Sequence, residues 1–124
     1  APLTAEVAAR MRDEPVDLTG RTSLGALAAL VAQARLVVSN DTGISHVAAA
    51  LRTPSVIVSS GGDARRWAPL DTTRHLVLHA AAPCRPCVLH DCPYPDHPCA
   101  RDVAVATVIE RALALLAEHR SDAA

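Results

Sequence analysis

A chain of 124 residues is long enough for one domain with a genuine core, but 25 of them are alanine and none is phenylalanine, so that core must come from close helix packing with Leu and Val. All 12 basic residues are arginine and the formal net charge is −1, a balance that excludes a protein coating a polyanion with a one-signed basic face. No apolar run is long enough for a helical membrane span, and the start Ala1-Pro2-Leu3 shows neither a signal pattern nor an initiator Met, as expected of a piece of a longer protein.

In chain order, residues 4–13 read as a helix with Thr4 as its cap and Val7, Ala8 and Met11 on one face, ended by Pro15. Residues 16–18 are a short strand candidate, followed by a turn at Thr19-Gly20. Ser23 caps a second helix in which Leu24, Leu27, Ala28 and Val31 recur at the helical period. Residues 36–38 form a buried-strand run, residues 40–43 a turn, and residues 44–51 a third helix. A second apolar run, residues 56–58, ends in Ser59-Ser60-Gly61-Gly62, and residues 75–78 are one more strand candidate. Residues 83–99 hold five prolines and all four cysteines, too much proline for a helix or central strand, and read as a loop. Asp102 then caps a last helix with Val105, Ile109, Ala112 and Leu116 as its apolar stripe.

Apolar strands alternating with helices predict an α/β fold, a Rossmann-like parallel sheet with flanking helices, in a single domain spanning residues 1–124 with residues 83–100 as a Cys/Pro-rich loop within it. Such sheets bind ligands at the carboxyl ends of their strands. Here those ends are the small, polar runs beginning at Ser39 and Ser59. The run Asn40-Asp41-Thr42-Gly43 places a turn directly before a helix N-terminus, whose unpaired N–H groups and partial positive charge attract an anion. Gly43 carries no Cβ to hold a phosphate off the backbone, Thr42 can donate its hydroxyl, and His46 follows one helical turn later. Asp41 would repel a phosphate and is better used accepting hydrogen bonds from neighbouring sugar hydroxyls. Taken alone, the Asp-Thr-Gly run is a weak motif, more readily a plain helix cap with His46 packed on its flank.

The long combined pattern is more specific. Arg21-Thr22-Ser23-Leu24 followed by Leu36-Val37-Val38-Ser39-Asn40-Asp41-Thr42-Gly43-Ile44-Ser45-His46-Val47-Ala48-Ala49-Ala50-Leu51-Arg52-Thr53-Pro54 resembles the donor-binding region of the heptosyltransferases, glycosyltransferase family 9. The resemblance implies the C-terminal half of a GT-B type enzyme in which two Rossmann-like domains close on an ADP-sugar. It implies inverting transfer of heptose from ADP-heptose to inner-core lipopolysaccharide, in the cytoplasm at the inner face of the membrane, with no catalytic cofactor. By that likeness Asp41 holds heptose hydroxyls, Thr42 and Gly43 contact the pyrophosphate with His46 beside it, Thr22 lies near the nucleoside, and Glu6 is the candidate carboxylate for the ribose.

Three departures accompany the resemblance. The catalytic base belongs to an N-terminal acceptor domain absent from this chain, so no catalytic residue is expected here. The phosphate-neutralising lysine of the family comes from upstream of the matched region, and this chain has no lysine; Ser59-Ser60-Gly61-Gly62-Asp63 replaces a Phe-Gly-Pro-Thr-Asp run. Donor binding without efficient transfer is therefore expected of this chain alone.

Cys84, Cys87, Cys92 and Cys99 are spaced C-x2-C-x4-C-x6-C, and four thiolates in one short loop can close a tetrahedral structural site for zinc, or for iron. His90 and His97 are alternative ligands; a disulfide or free thiols are the competing readings. His75 and His79 read as surface residues, Arg65 and Arg66 as a phosphate-attracting or solvated edge, and Trp67 as packing beneath them. Two other functions stay open: a metal-stapled interaction module with no sugar site, and a family member using another ADP-sugar or acceptor. No nucleic-acid partner is expected.

Overall fold

A computed structural model describes residues 2–119; the outermost residues of the expected 1–124 domain lie outside them. The elements run α1 (Pro2–Ala9), α2 (Leu24–Gln33), β1 (Val37–Asn40), α3 (Gly43–Ala50), β2 (Ser55–Val58), α4 (Ala64–Trp67), β3 (His75–Leu78), α5 (Pro98–Arg101) and α6 (Val105–Glu118). The strands form one parallel sheet in the order β1-β2-β3, with Val38 opposite Val56 and Val56 opposite Leu76. The α/β expectation holds.

Consecutive strand residues point to opposite faces. Val56 and Ile57, neighbours on central β2, are 0% and 1% exposed, so both faces of the sheet are covered at β2, while Val38 on β1 is exposed. Helix α3 packs on β1 and β2 and against α2, while α6 packs on β2 and buries Leu115. Ser23 caps α2 by accepting from the Ala26 N–H at 3.2 Å, and at the other end the buried Thr53 hydroxyl donates to the Val31 carbonyl at 2.9 Å. That bond takes up one of the carbonyls left over at a helix C-terminus and ties α2 to the segment entering β2.

Several sequence expectations are corrected. Helix α1 begins at Pro2 and ends at Ala9, short of the charged run Arg12-Asp13-Glu14 before Pro15; Thr4 sits inside it, and its hydroxyl accepts from Thr19. Residues 16–18 form no strand, and Val16 is exposed. Asp102 is not the cap of the last helix; it is the C-cap of the one-turn α5, and Ala104 precedes α6. On α6 the inward stripe runs through Leu115 with Val108, Ala112 and Leu116 partly covered, whereas Val105 and Ile109 are exposed. His75 is 3% exposed rather than on the surface. Its Nδ1 lies 2.8 Å from Ser55 Oγ on the adjacent strand, and burial pushes its pKa below the usual histidine range. This pair sits at the amino ends of β2 and β3, opposite the ligand end of the sheet, and is structural.

Candidate donor-binding site

The carboxyl ends of β1 and β2 meet around Asp41. The Asp41 N–H donates to the Val58 carbonyl at 3.1 Å, continuing the β1–β2 ladder one residue past the strand. Its carboxylate Oδ2 accepts from the Ser59 hydroxyl at 3.1 Å. Ser59 is fully buried, and its own N–H donates to the Leu78 carbonyl at 2.8 Å, so the group that orients Asp41 is fixed by the third strand. Gly62 closes the turn over this pair: a Cβ there would stand 3.1 Å from Asp41 Oδ2 and 3.6 Å from Ser59 Oγ. A side chain at that position would press on the carboxylate, which would have to move by a few tenths of an ångström.

Immediately after Asp41 the chain enters α3. Thr42 is its N-cap but makes no side-chain capping bond, and its hydroxyl reaches only the Asn40 carbonyl at 3.5 Å. The turn is held instead from below, where the buried Ser45 donates through Oγ (2.7 Å) and N–H (3.0 Å) to the Thr42 carbonyl. Thr42 and Gly43 are exposed, and the space where a Gly43 Cβ would project is empty. With the Ser45 N–H bonded to the Thr42 carbonyl, the end of α3 presents the N–H groups of Gly43 and Ile44 without a side-chain cap across them, in the arrangement that receives an anion. His46 is exposed on the same helix.

The structure thus brings Asp41, Thr42, Gly43 and His46 into one strand-turn-helix corner. Thr22 and Glu6 are placed elsewhere. Thr22 lines a mostly apolar groove of about 430 Å³ with Thr4, Val7, Met11, Leu27 and Leu30, between α1 and α2. Glu6 is exposed on α1 and outside that groove's lining.

On the other side of Ser59 lies the Cys/Pro-rich loop. The Cys87 N–H donates to the Gly61 carbonyl at 2.8 Å, and Arg85 Nη1 donates to the Ser59 carbonyl at 3.1 Å, which docks the loop against the carboxyl end of β2. Cys84, Cys87 and Cys99 are half-buried, Cys92 is exposed, and all four are free thiols. Burial, followed by the nearby Cys87, Cys99 and Cys92, raises the pKa of Cys84, and the Cys92 thiol donates to the Tyr94 carbonyl. Among the described residues no three His, Cys, Asp or Glu side chains are positioned to hold a metal ion. Arg65 is bound to Asp63 through Nε at 3.0 Å and Nη2 at 3.1 Å, and holds that carboxyl below its ordinary range. Arg66 lies over the half-exposed Trp67 ring, 5.1 Å from its centroid.

Comparison with known proteins shows the family. The profile of glycosyltransferase family 9 (heptosyltransferase) matches residues 3–97, which include all of α1 but its first residue, the whole sheet and the Asp41 turn. The chain belongs to that family. Among curated relatives, the family 9 domain is 27% identical over 100 residues to lipooligosaccharide heptosyltransferase 2 of Campylobacter jejuni subsp. jejuni serotype O:2, covering 81% of this chain and 31% of that protein. It is 43% identical over 47 residues to lipooligosaccharide heptosyltransferase 2 of Haemophilus ducreyi, covering 38% of this chain and 14% of that protein. The domain thus spans about a third or less of the length of these relatives. No solved structure is a significant match.

Ser59, Gly62 and Arg85 are the site residues that sequence reasoning missed. Ser59 and Gly62 lay in the run that departs from the family pattern, yet the rule that parallel sheets work at their carboxyl ends already pointed at the end of β2. Arg85 carried no such signal, since its position depends on how a 17-residue loop folds back.

Proposed function

We propose that this family 9 domain binds the donor nucleotide-sugar, ADP-heptose, for an inverting transfer of heptose to inner-core lipopolysaccharide. The observation that carries the reading is the corner itself: a carboxylate oriented by the buried Ser59 stands one residue before an uncapped helix N-terminus. Asp41 accepts from heptose hydroxyls, while Thr42 and the amides of Gly43 and Ile44 receive the diphosphate. Negative charge grows on the departing ADP as the glycosidic bond breaks, and donors already aimed at it stabilise that change. The base that deprotonates the acceptor belongs to the other domain of the family, and His46 flanks the phosphates. Thr22 belongs to the nucleoside end, through the groove between α1 and α2; Glu6, for the ribose, is the weakest member of the set. The setting is the cytoplasm at the inner membrane, and among the described residues no helix is long and apolar enough to cross a membrane.

The test is isothermal titration of the wild-type chain and Asp41→Ala with ADP-heptose. Binding by the wild type and loss of about tenfold or more in the variant, at unchanged circular dichroism, supports the reading. Binding by neither points to an interaction module without a sugar site. Equal binding by both removes Asp41 from the site, and wild-type binding of another ADP-sugar more tightly than ADP-heptose reassigns the donor.

The four cysteines are proposed as a structural metal site, zinc first and iron second, with no part in transfer. Their support is the C-x2-C-x4-C-x6-C spacing within a loop that brings Cys87, Cys92 and Cys99 near Cys84. As placed they do not form a coordination set, so the metal would have to close the loop. Elemental analysis of reduced protein prepared without chelators should give about one metal per chain, and a content near zero rules the site out.

A further inference from the structure

Beside the Asp41 corner, across the Gly62 backbone, is a cavity of about 320 Å³ lined by Gly62, Asp63, Ala64, Arg65, His79, Arg85 and Pro86, a volume at the lower end of small-molecule sites. Two cations border it. Arg65 is neutralised by its two-point pairing with Asp63 and is largely solvent-exposed. Arg85 is different: it is half-buried, its one side-chain hydrogen bond goes to the neutral Ser59 carbonyl, and no carboxylate among the described residues pairs with it. A half-buried guanidinium satisfied at one N–H and lacking a counter-ion retains donors in a fixed fork suited to phosphate or carboxylate. His79 shares the lining; its Nδ1 donates to the Ala80 carbonyl at 3.3 Å, leaving Nε2 for another partner.

The position of Arg85 is built from both sides. Its own N–H donates to the Ala82 carbonyl, and two residues later the Cys87 N–H is bonded to Gly61, so the backbone on either side of Arg85 is anchored. Ser59 then links two functions through one residue: its hydroxyl orients Asp41 and its carbonyl orients Arg85. An uncharged-sugar reader and a cation thus stand on either side of one buried serine.

We propose that Arg85 is an oxyanion-binding residue of this site, taking a phosphate of the donor diphosphate. This rests on the donor-site reading for the identity of the ligand, though not for the existence of the subsite. The same guanidinium would accept an acidic group of a saccharide, and the experiment separates the two sources.

The wild-type chain, Arg85→Gln and Arg85→Lys are titrated with ADP, inorganic pyrophosphate and glucuronate, with thermal melts to confirm folding. The expected result is about tenfold weaker ADP and pyrophosphate binding in Arg85→Gln, the loss of one charge-assisted contact, with partial recovery in Arg85→Lys and glucuronate unaffected. Loss confined to glucuronate keeps the oxyanion subsite but assigns it to a saccharide acid. Wild-type binding of pyrophosphate but not ADP, lost in Arg85→Gln, leaves the subsite standing and removes the donor reading. Unchanged affinities in both folded variants overturn the proposal, as does a wild type that binds none of the three.

Discussion

Replacing Ser59 by alanine isolates the interaction on which the site geometry turns. The Ser59 side chain is fully buried and its hydroxyl donates to Asp41 Oδ2 at 3.1 Å; the backbone bond from Ser59 to Leu78 survives the change. A hydrogen bond to a charged group contributes roughly 1.5–3 kcal/mol. Asp41 is only half-buried, so water recovers part of that loss and the net destabilisation falls to about 1 kcal/mol. For a domain of this size that corresponds to a fall in Tm of roughly 3–5 °C. Binding should respond selectively. Without Ser59 the carboxylate must be ordered by the ligand, at about 0.5–1.5 kcal/mol for one side chain, which is roughly 2- to 12-fold in affinity. Only ligands that use Asp41 incur it. Titration of Ser59→Ala should therefore show ADP-heptose weakened by that factor and ADP within twofold of wild type. An equal loss for both ligands, or for neither, would refute the assignment of Asp41 to the sugar.

Gly62→Ala places a methyl 3.1 Å from Asp41 Oδ2, close enough that the carboxylate must move by a few tenths of an ångström. Gly62 is not in the left-handed region, so the substitution also gains about 0.4–1 kcal/mol by restricting the unfolded chain. Sugar-donor affinity should drop while Tm stays within about 2 °C of wild type; unchanged affinity would show that the turn does not press on Asp41. The His75–Ser55 pair makes stability pH-dependent. Because burial lowers the folded-state pKa of His75, the unfolded chain protonates first as pH falls below about 6.5. Stability is intact above that value and is lost as pH drops toward the folded-state pKa. Thermal melts between pH 7.5 and 5 should fall more steeply for wild type than for His75→Gln, and parallel curves would contradict this.

Much of the architecture was legible in the sequence for a simple reason. Val37-Val38, Val56-Ile57-Val58 and the run from His75 are short apolar segments bounded by polar turns, and nothing tertiary had to override them. The Ser23 cap was equally local. The errors fell where local pattern and tertiary context disagree. Residues 16–18 have strand-like composition, yet no neighbouring strand pairs with them. Asp102 has cap chemistry but follows the one-turn α5, so the long helix starts later and its inward face rotates onto Leu115. His75 looked like a surface residue because a histidine at a strand end usually is one; its burial depends on a serine 20 positions earlier lying opposite it on β2. The Asp41–Gly43 corner was visible as a strand-turn-helix signal, whereas the support from Ser59, Gly62 and Arg85 arises only when the third strand and the Cys/Pro-rich loop fold against β2.

The most direct measurement is amide chemical-shift mapping of the isotopically labelled chain during titration with ADP. Binding at the α3 N-terminus predicts saturable shifts centred on Gly43, Ile44 and Ser45, with weaker ones at Ser59 and Gly62. An absence of shifts at millimolar ADP, or shifts confined to segments away from this turn, would contradict the assignment of the corner as the diphosphate site.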